Sequence, residues 1–504
     1  MPAPIPGSRS GSANAALGIG AVLGCLVVVY ASFPYGPGVS QLGLHYIAAA
    51  EGLRTGAGMV MTRGGPFTWW PPLLPALLAI VRSLGLGYPE AALAINLASH
   101  GAILYLASKL VLRLTGSFAL AAANLALLLT SPRLVQRAAD VSSEPLFVAL
   151  VLGCVCALVA YCDRPTLTRL AWVAGLAALA SLQRYAGVFL VAAILPVVAI
   201  HPVSVPRRAR WARATGVVAL AALPVLLWCW RNWILEGTLT GPRYPSSRGL
   251  GLNLHWTGLS LQSFLVGETE VPEPLSTGIL SLALFLVGLA VFRVFQRRSE
   301  GERGALAAYF AFPAAYVVLL PIQSSLVQID LLGDRLYLPV FPFLCGAACL
   351  GCLEVRRLLA EAPLAWRRSA FVLLLVFFGT RVSIAAAETW SSAEVSRSEG
   401  NRGFGSRRWA RSELVLWLRD HPPEGKIYSN APEFVLFATG RLAVLVDGES
   451  LARSVTDADL QDHVIWASVR AASSPLPEIS LRDRRLEELV RASEGAVYRI
   501  ESIP

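Results

Sequence analysis

The chain has 504 residues, of which 55% are hydrophobic and 15% are charged, and its mean hydropathy is +0.56. These values exclude an ordinary soluble domain, in which about 25% of the residues are charged. The formal net charge of +10 lies mostly in short loops between apolar segments. It therefore indicates membrane topology and contact with anionic membrane lipids, not a nucleic-acid partner.

Eleven apolar segments follow one another between residues 16 and 386. Several are long enough for the roughly 20 residues that a hydrocarbon core requires. The segments are 16–33, 90–112, 117–132, 145–162, 170–183, 185–200, 214–230, 275–292, 304–321, 336–353 and 369–386. The sequence therefore predicts an α-helical polytopic membrane protein with about 11 transmembrane helices.

The orientation depends on residues 69–87. Only about ten apolar residues separate Pro72 from Arg82, so this stretch is predicted to lie along the membrane surface. Five basic clusters then share a side with the N-terminus, and the positive-inside rule places that side in the cytoplasm of the plasma (inner) membrane. The clusters are Lys109/Arg113, Arg164/Arg169, Arg207/Arg208/Arg210/Arg213, Arg293/Arg297/Arg298/Arg303 and Arg356/Arg357/Arg367/Arg368.

This topology divides the chain into a membrane domain, 16–387, with a polar segment at each end. Residues 1–15 are rich in Pro, Ser, Gly and Ala and are predicted to form a disordered cytoplasmic N-terminus. The extracytoplasmic face carries two long loops, 34–89 and 231–274, and the tail 388–504.

The tail is predicted to form a small α/β domain. Short strand-like runs at 426–429, 443–446, 464–466 and 496–500 alternate with helical patterns, such as the one from Arg482 to Ala492. The eight cysteines of the chain lie in or at the ends of the apolar segments, so they predict neither disulfides nor a zinc site.

Two carboxylates precede the fourth apolar segment and are candidate catalytic residues. Asp140 and Glu144 follow a short outer loop, and an acid at that depth is costly unless it is paired or used. The alternative is structural, because Glu144 followed by Pro145 is typical of a helix start, where the acid favours the helix dipole.

Four arginines and a tyrosine are candidates for binding a lipid-linked phosphate. Arg184 stands alone between two apolar segments, and Arg231 and Arg243 lie beside a loop rich in Gly, Pro and Ser. Arg335 and Tyr337 form a cation and hydroxyl pair at the start of the tenth segment. The alternatives are snorkelling for Arg184 and a weak surface pair between Asp334 and Arg335.

An ordered set of short motifs resembles one family. The set comprises Tyr46-x-x-x-Ala50-x-x-Leu53-x-x-Gly56, Trp70-Pro71-Pro72-Leu73, Ser143-Glu144-Pro145-Leu146, Gln183-Arg184-Tyr185-Ala186-Gly187, Arg231-Asn232 and Arg335-x-Tyr337-x-x-Pro339. It is similar to the GT-C class of polyprenyl-phosphate-sugar-dependent glycosyltransferases, which includes protein mannosyltransferases (glycosyltransferase family 39) and the aminoarabinose transferases of lipid A. The resemblance implies two flat helices in the first outer loop, at about 40–56 and 70–86, above a cavity that admits the donor.

One position departs from the family pattern. The family carries an acid about four residues before the tyrosine of the first loop, and this chain has Leu42 there. His45 is a candidate base in its place, because a neutral imidazole accepts protons near neutral pH. The alternative is that His45 is a polar residue facing the lipid headgroups. Glu51 is the only acid of this loop before the second flat helix, but it lies on the first helix and not at its start, so nothing supports it as a substitute for the missing acid.

Three functions remain open. The first is transfer of a sugar from a polyprenyl-phosphate donor to a lipid, glycan or protein acceptor. The second, favoured by Leu42, is binding of a lipid-linked glycan without transfer. The third is transport, which the gathering of charges at the outer ends and the lack of a detected repeat disfavour. No cofactor or metal site is predicted, although a divalent metal ion is left open.

Overall fold

The structure, a computed structural model, describes residues 7–266, 273–296, 299–447, 450–451, 462–467 and 484–502. Predictions about residues 1–6, 267–272, Arg297 and Arg298 lie outside the described residues. The helices are Gly7–Ser32 (α1), Gln41–Arg54 (α2), Leu73–Ser83 (α3), Tyr88–Thr115 (α4), Phe118–Leu129 (α5), Pro132–Ala138 (α6), Glu144–Asp163 (α7), Leu167–Gln183 (α8), Gly187–Ile200 (α9), Arg207–Glu236 (α10), Leu250–Val266 (α11), Glu273–Gln296 (α12), Glu300–Leu326 (α13), Asp334–Tyr337 (α14), Phe341–Leu358 (α15), Leu364–Glu399 (α16), Arg407–Ala410 (α17), Glu413–Asp420 (α18) and Pro432–Thr439 (α19). The strands are Ile427–Ser429 (β1), Val444–Leu445 (β2), His463–Ala467 (β3), Arg484–Ala492 (β4) and Gly495–Ser502 (β5).

The apolar segments form a helical membrane bundle. Each of the eleven predicted segments coincides with a helix, namely α1, α4, α5, α7, α8, α9, α10, α12, α13, α15 or α16. Among the described residues, six helices are long and apolar enough to cross a membrane, and α5 with α6, bent by 61°, makes a seventh candidate. The polytopic class is thus confirmed, while the number of eleven crossings remains a prediction.

Two helices run beyond the boundaries predicted from the sequence. The first, α1, begins at Gly7 and so includes residues that were predicted to be disordered. Alanines favour this extension, and Ala13 and Leu17 are buried against the bundle. The last membrane helix, α16, continues to Glu399, past the predicted end of the membrane domain at residue 387.

The core of the bundle surrounds α7, which packs against α4, α8 and α13. Its buried side chains are almost all apolar, and large aromatic residues such as Phe147 and Tyr161 are fully buried. A helix that is apolar on every side belongs in the interior of a bundle, which explains why α7 occupies this position.

The C-terminal tail forms a five-stranded sheet with the order β2-β1-β3-β5-β4. Strand β1 is parallel to β2 and β3, whereas β5 is antiparallel to β3 and β4. The helices α18 and α19 precede and follow β1, so the observed tail is an α/β unit, as predicted.

The helix predicted from Arg482 to Ala492 is wrong where the structure describes it. Residues 484–492 form strand β4, which pairs with β5 across the turn at Ser493 and Glu494. Residues such as Leu and Glu favour a helix locally, but pairing with a neighbouring strand and packing of Leu486 against the sheet core outweigh that preference.

The first outer loop is fixed between two distant segments. Backbone hydrogen bonds join Gly38 to residues 139 and 141, at 2.8 and 2.7 Å, and join Val39 to residues 402 and 404, at 3.0 and 2.9 Å. Gly403 allows this approach, because a Cβ atom there would lie 2.2 Å from the carbonyl oxygen of Val39. The start of α2 is therefore held against both the membrane domain and the C-terminal tail.

The same region shares one hydrophobic core with the tail. Side chains of α2 and α3, including Tyr46, Ile47 and Leu74, are buried in one cluster with Phe434 and Ile465 of the C-terminal unit. The two outer helices predicted by the resemblance are present as α2 and α3, which pack against each other. Residues of α2 can therefore contact both the bundle and the tail.

Candidate functional site

A cavity of about 710 Å³ lies between α2, the start of α9, the end of α13 and the loops around residues 70, 240 and 330. Among the predicted site residues, it is lined by His45, Arg184, Arg243 and Arg335. A second cavity, of about 750 Å³, lies among α5, α15 and α16, but it contains none of the predicted site residues. The first cavity is therefore the candidate site.

Helix α2 presents one face to this cavity. The hydroxyl of Ser40 accepts a hydrogen bond from the amide of Gly43, at 3.2 Å, and caps the helix at Gln41. Gln41, Leu42 and His45 then line the cavity, as expected because Gln41 and Leu42 lie four and three residues before His45 on the helix. The position of the missing family acid and the candidate base therefore share one face of the cavity.

Glu144 is buried behind the cavity lining, between two arginines that line the cavity. Its Oε1 atom is 2.6 Å from Nη1 of Arg184 and 3.0 Å from Nε of Arg335, and its side chain is 1% exposed. Burial of a carboxylate is costly unless it is paired, and here two guanidinium groups pair with it. Arg184 and Arg335 are among the residues that line the cavity, whereas Glu144 is not.

Ser143 links Arg184 of the Glu144 cluster to Tyr46 of α2. Its hydroxyl accepts hydrogen bonds from Arg184, at 2.8 Å, and from Tyr46, at 3.2 Å. Burial raises the pKa of Tyr46 to about 12, so this phenol stays protonated and donates. Arg184 itself ends α8 in an extended conformation, which directs it across to the start of α7.

Besides Glu144, Arg335 pairs with Asp330 and not with Asp334, the partner that the sequence suggested. Arg335 contacts Asp330, at 3.1 Å, whereas Asp334 binds Arg133, at 2.6 Å, and accepts a hydrogen bond from Ser263. The alternative of an Asp334–Arg335 surface pair is therefore wrong. Asp330 is 70% exposed, so its contact with Arg335 contributes little.

Arg243 and Arg231 both bind backbone carbonyl groups of the first outer loop. Arg243 donates to the carbonyl of Trp69, at 3.0 Å, stacks on the Trp69 ring and lines the cavity. Arg231 donates to the carbonyl of Phe67, at 3.1 Å, and stacks on Trp228, but it is not among the residues that line the cavity. The structure thus separates these two predicted phosphate ligands.

Tyr337 and Asp140 also lie outside the cavity lining. Tyr337 is fully buried, and its hydroxyl is 2.6 Å from that of Thr257. Asp140 lies at the junction with the first outer loop, 3.6 Å from Arg137, and its carbonyl accepts a hydrogen bond from Asn96. Burial raises the pKa of Asp140 to about 6, although Arg137 and Arg402 oppose the rise.

Asp140 is expected to make stability depend on pH. Because its pKa is higher in the folded protein than the usual 3.8, the folded state binds the proton more tightly, and stability falls as pH rises from about 4 to about 6. The shift corresponds to roughly 3 kcal/mol at most. Thermal unfolding in detergent should therefore show that the wild type loses more stability than Asp140→Asn between pH 4 and pH 7; equal losses would contradict this assignment.

His45 is held by groups that the sequence did not single out. Its Nδ1 atom lies 2.9 Å from the hydroxyl of Thr62, and its ring stacks against Trp70 with 5.6 Å between centroids. Glu433 of the C-terminal unit approaches Thr62 and forms an ion pair with Arg63, at 2.8 Å. Glu433 follows Thr62 by 371 residues and Arg63 by 370 residues, so no local sequence motif links it to them.

Glu51, the acid of the first outer loop, forms its ion pair outside the cavity lining. It binds Arg54, at 2.7 Å, and accepts a hydrogen bond from Tyr88, also at 2.7 Å. It is not among the residues that line the cavity. Among the described residues that line the cavity, the acid is Asp330, which the sequence did not single out.

No protein-family profile matches the sequence, and no curated protein matches it either. Solved structures do match in fold. ArnT from Cupriavidus metallidurans in the apo state is 14% identical, with a TM-score of 0.61 over 95% of this chain and 96% of that chain. The same protein bound to undecaprenyl phosphate is 13% identical, with a TM-score of 0.61 over 95% and 97%.

A second kind of enzyme shares the fold. The archaeal oligosaccharyltransferase AglB from Archaeoglobus fulgidus, in complex with an inhibitory peptide and a dolichol-phosphate, is 12% identical, with a TM-score of 0.52 over 89% of this chain and 69% of that chain. The chain therefore has the fold of the GT-C glycosyltransferases over most of its length, which confirms the resemblance at the level of the fold.

Proposed function

We propose that the chain is an integral membrane glycosyltransferase, which transfers a sugar from a polyprenyl-phosphate donor to an acceptor on the extracytoplasmic face. The observation that carries this proposal is the convergence of Arg184 and Arg335, which both line the cavity, on the buried carboxylate of Glu144. A fold shared with a protein that binds undecaprenyl phosphate supports it.

The proposed reaction is a displacement at the anomeric carbon of the sugar. A base in the cavity takes the proton of the acceptor hydroxyl, whose oxygen attacks the anomeric carbon, and the bond to the phosphate oxygen breaks. Arg184, Arg335 and Arg243 would stabilise the charge of the departing polyprenyl phosphate with charge-assisted hydrogen bonds. Among the predicted bases, His45 lines the cavity, whereas Glu144 is engaged by both arginines.

Glu144 therefore takes a positioning role in this proposal. A carboxylate that is 1% exposed and paired twice is a poor proton acceptor, but it holds two guanidinium groups in a fixed arrangement. The helix-start alternative is compatible with this role, because Pro145 at the first turn places Glu144 at the entrance of α7.

The arginines give the direct test of the donor site. Arg184→Ala, Arg335→Ala and Arg243→Ala should each weaken binding of polyprenyl phosphate by about 1.5–3 kcal/mol, the range for a hydrogen bond to a charged group. This corresponds to about a tenfold to 150-fold rise in Kd. Binding of polyprenyl phosphate to purified protein in nanodiscs measures the effect.

Arg231→Ala is the matched control, because Arg231 also binds a carbonyl of the first outer loop and stacks on a tryptophan, but outside the cavity lining. Its Kd should stay within about threefold of the wild type, since no charge-assisted bond to the phosphate is lost. Unchanged binding in all three cavity variants would remove the basis for a phosphate site here. Turnover is then read as release of free polyprenyl phosphate from a panel of lipid-linked sugars.

The proposed topology places the N-terminus in the cytoplasm and the C-terminal unit outside the plasma (inner) membrane. In a variant without native cysteines, an impermeant thiol reagent added outside should label Ser391→Cys, on the exposed end of α16, but not Glu361→Cys, in the loop before it. Lysed cells should label at both positions. Outside labelling of Glu361→Cys alone would reverse the assigned orientation.

A second candidate function is binding of a lipid-linked glycan without transfer. Leu42 favours it, because the family's acid is missing from the face of α2 that lines the cavity. Both functions require the arginine site, so the arginine variants do not distinguish them. They differ in turnover, which the variants of the proposed base test.

A further inference from the structure

The two nitrogen atoms of His45 have different surroundings. Nδ1 lies 2.9 Å from Oγ1 of Thr62, and the imidazole lines the cavity. For Nε2, the described residues provide no hydrogen-bond partner. Which nitrogen carries the proton therefore depends on the direction of the hydrogen bond at Thr62.

A contact between Thr62 and Glu433 favours one direction of that hydrogen bond. The hydroxyl of Thr62 lies 3.5 Å from Oε1 of Glu433, and a carboxylate can only accept. Burial favours the neutral acid, but the backbone hydrogen bond of Glu433 and the neighbouring Arg63 outweigh this and hold the pKa of Glu433 below its usual value. Because Thr62 has a single hydroxyl proton, a bond donated to Glu433 leaves its oxygen to accept from Nδ1–H of His45.

We propose that Glu433 and Thr62 are positioning residues that fix His45 in the tautomer with the proton on Nδ1, so that Nε2 faces the cavity as a proton acceptor. This inference rests on the proposed function. In the proposed step, the proton of the acceptor hydroxyl moves to Nε2 as the oxygen bonds to the anomeric carbon. The electron pair of the broken bond leaves with the polyprenyl phosphate, and the imidazolium later returns its proton to water.

The arrangement joins three parts of the chain. His45 belongs to α2, Thr62 to the first outer loop and Glu433 to α19 of the C-terminal unit, where Glu433 is 8% exposed. Gln41, also on α2, donates to the same carboxylate oxygen at 3.4 Å. The C-terminal unit would thus complete the catalytic site, with Glu433 balancing the charge of the imidazolium.

The charged groups that act on His45 have opposite effects. Burial lowers the pKa of His45, Glu433 opposes this change, and Arg63 adds to it. Removal of Glu433 should therefore shift the acid limb of the rate profile to lower pH, whereas removal of Arg63 should shift it to higher pH. A purely structural role for the ion pair would move both profiles in the same direction or not at all.

The test uses the full chain in nanodiscs with ¹⁵N-labelled histidine, and the His45 signals are assigned by their loss in His45→Gln. In the wild type, Nδ1 should carry the proton and Nε2 should be bare. Thr62→Val and Glu433→Met, which remove the hydroxyl and the acceptor oxygens respectively, should redistribute the proton toward Nε2 and lower kcat by about tenfold or more, with the Kd for polyprenyl phosphate unchanged. Thr62→Ser, which keeps the hydroxyl, should behave like the wild type.

Two controls separate this inference from the proposed function and from loss of folding. Arg63→Gln breaks the ion pair but keeps the Thr62–Glu433 contact, so the tautomer should be retained. Glu413→Gln, at an exposed position of the same C-terminal unit, should change neither readout. An unchanged tautomer in Thr62→Val and Glu433→Met would overturn the inference, whereas wild-type protein without transfer would overturn the proposed function.

Discussion

Glu144→Gln is expected to destabilise the ligand-free protein by about 3 kcal/mol or more, because it leaves two closely spaced guanidinium groups without their carboxylate. Arg184 and Arg335 both contact the same oxygen of Glu144, and the side chain of Arg184 is 15% exposed. Polyprenyl phosphate would bring a negative charge to the same place. Saturating ligand should therefore raise the Tm of Glu144→Gln more than it raises the Tm of the wild type.

Glu51→Gln is a suitable control for this experiment. Glu51 is also a buried acid paired with an arginine, but it lies outside the cavity lining. Its loss should lower stability without an added response to polyprenyl phosphate. Thermal unfolding in detergent, with and without ligand, measures both effects.

The variant Glu144→Gln also distinguishes three roles for Glu144: general base, helix cap and positioning residue. A general base would give a stable protein with normal donor binding and a loss of transfer of about 10²- to 10⁴-fold. A helix cap would give full transfer and a stability loss of a few tenths to about 1 kcal/mol. A Tm of Glu144→Gln equal to that of the wild type would exclude the positioning role.

The helical framework could be predicted from the sequence because membrane helices are defined by local composition. Each apolar segment satisfies its own backbone hydrogen bonds, so its position does not depend on distant residues. Strand β4 shows the opposite case. Its sequence favours a helix, and only its pairing with β5, a non-local contact, makes it a strand.

The candidate site was predictable to the extent that each residue carried a local signal. Arg184 and Arg335 stand out as cations at the ends of apolar segments, and the structure brings both to Glu144. Arg231 carries the same local signal as Arg243, yet the fold directs it to Phe67, outside the cavity lining. Sequence identifies which side chains are costly at the membrane surface, but the packing of distant segments decides which of them meet.

Thr62 and Glu433 carried no local signal at all. Thr62 is a small polar residue in a loop, and Glu433 is an acid at the start of a short helix, where an acid is ordinary. Their relation to His45 arises from the hydrophobic core shared by α2 and the C-terminal unit. Such a cross-domain contact becomes visible only when the fold is known.

His45→Ala is expected to reduce transfer by about 10²- to 10⁴-fold while the Kd for polyprenyl phosphate stays unchanged. His45 lines the cavity with Arg184, Arg243 and Arg335, but it is not part of the Glu144 cluster. The loss should therefore appear in kcat and not in donor binding. Release of polyprenyl phosphate in single-turnover experiments measures the chemical step.

Leu42→Asp in the His45→Ala background should recover part of the lost rate. Residues 42 and 45 lie three positions apart on α2 and line the same cavity, so a carboxylate at position 42 can reach the acceptor from the same face. Leu42→Asn in the same background is the matched control, because it adds polarity without a base and should recover nothing. Full transfer by His45→Ala alone would exclude His45 as the base. If the wild type transfers no sugar from any donor while Leu42→Asp gains transfer, the chain binds its lipid-linked ligand without turning it over, because the one group that it then lacks is the acid that Leu42 replaces.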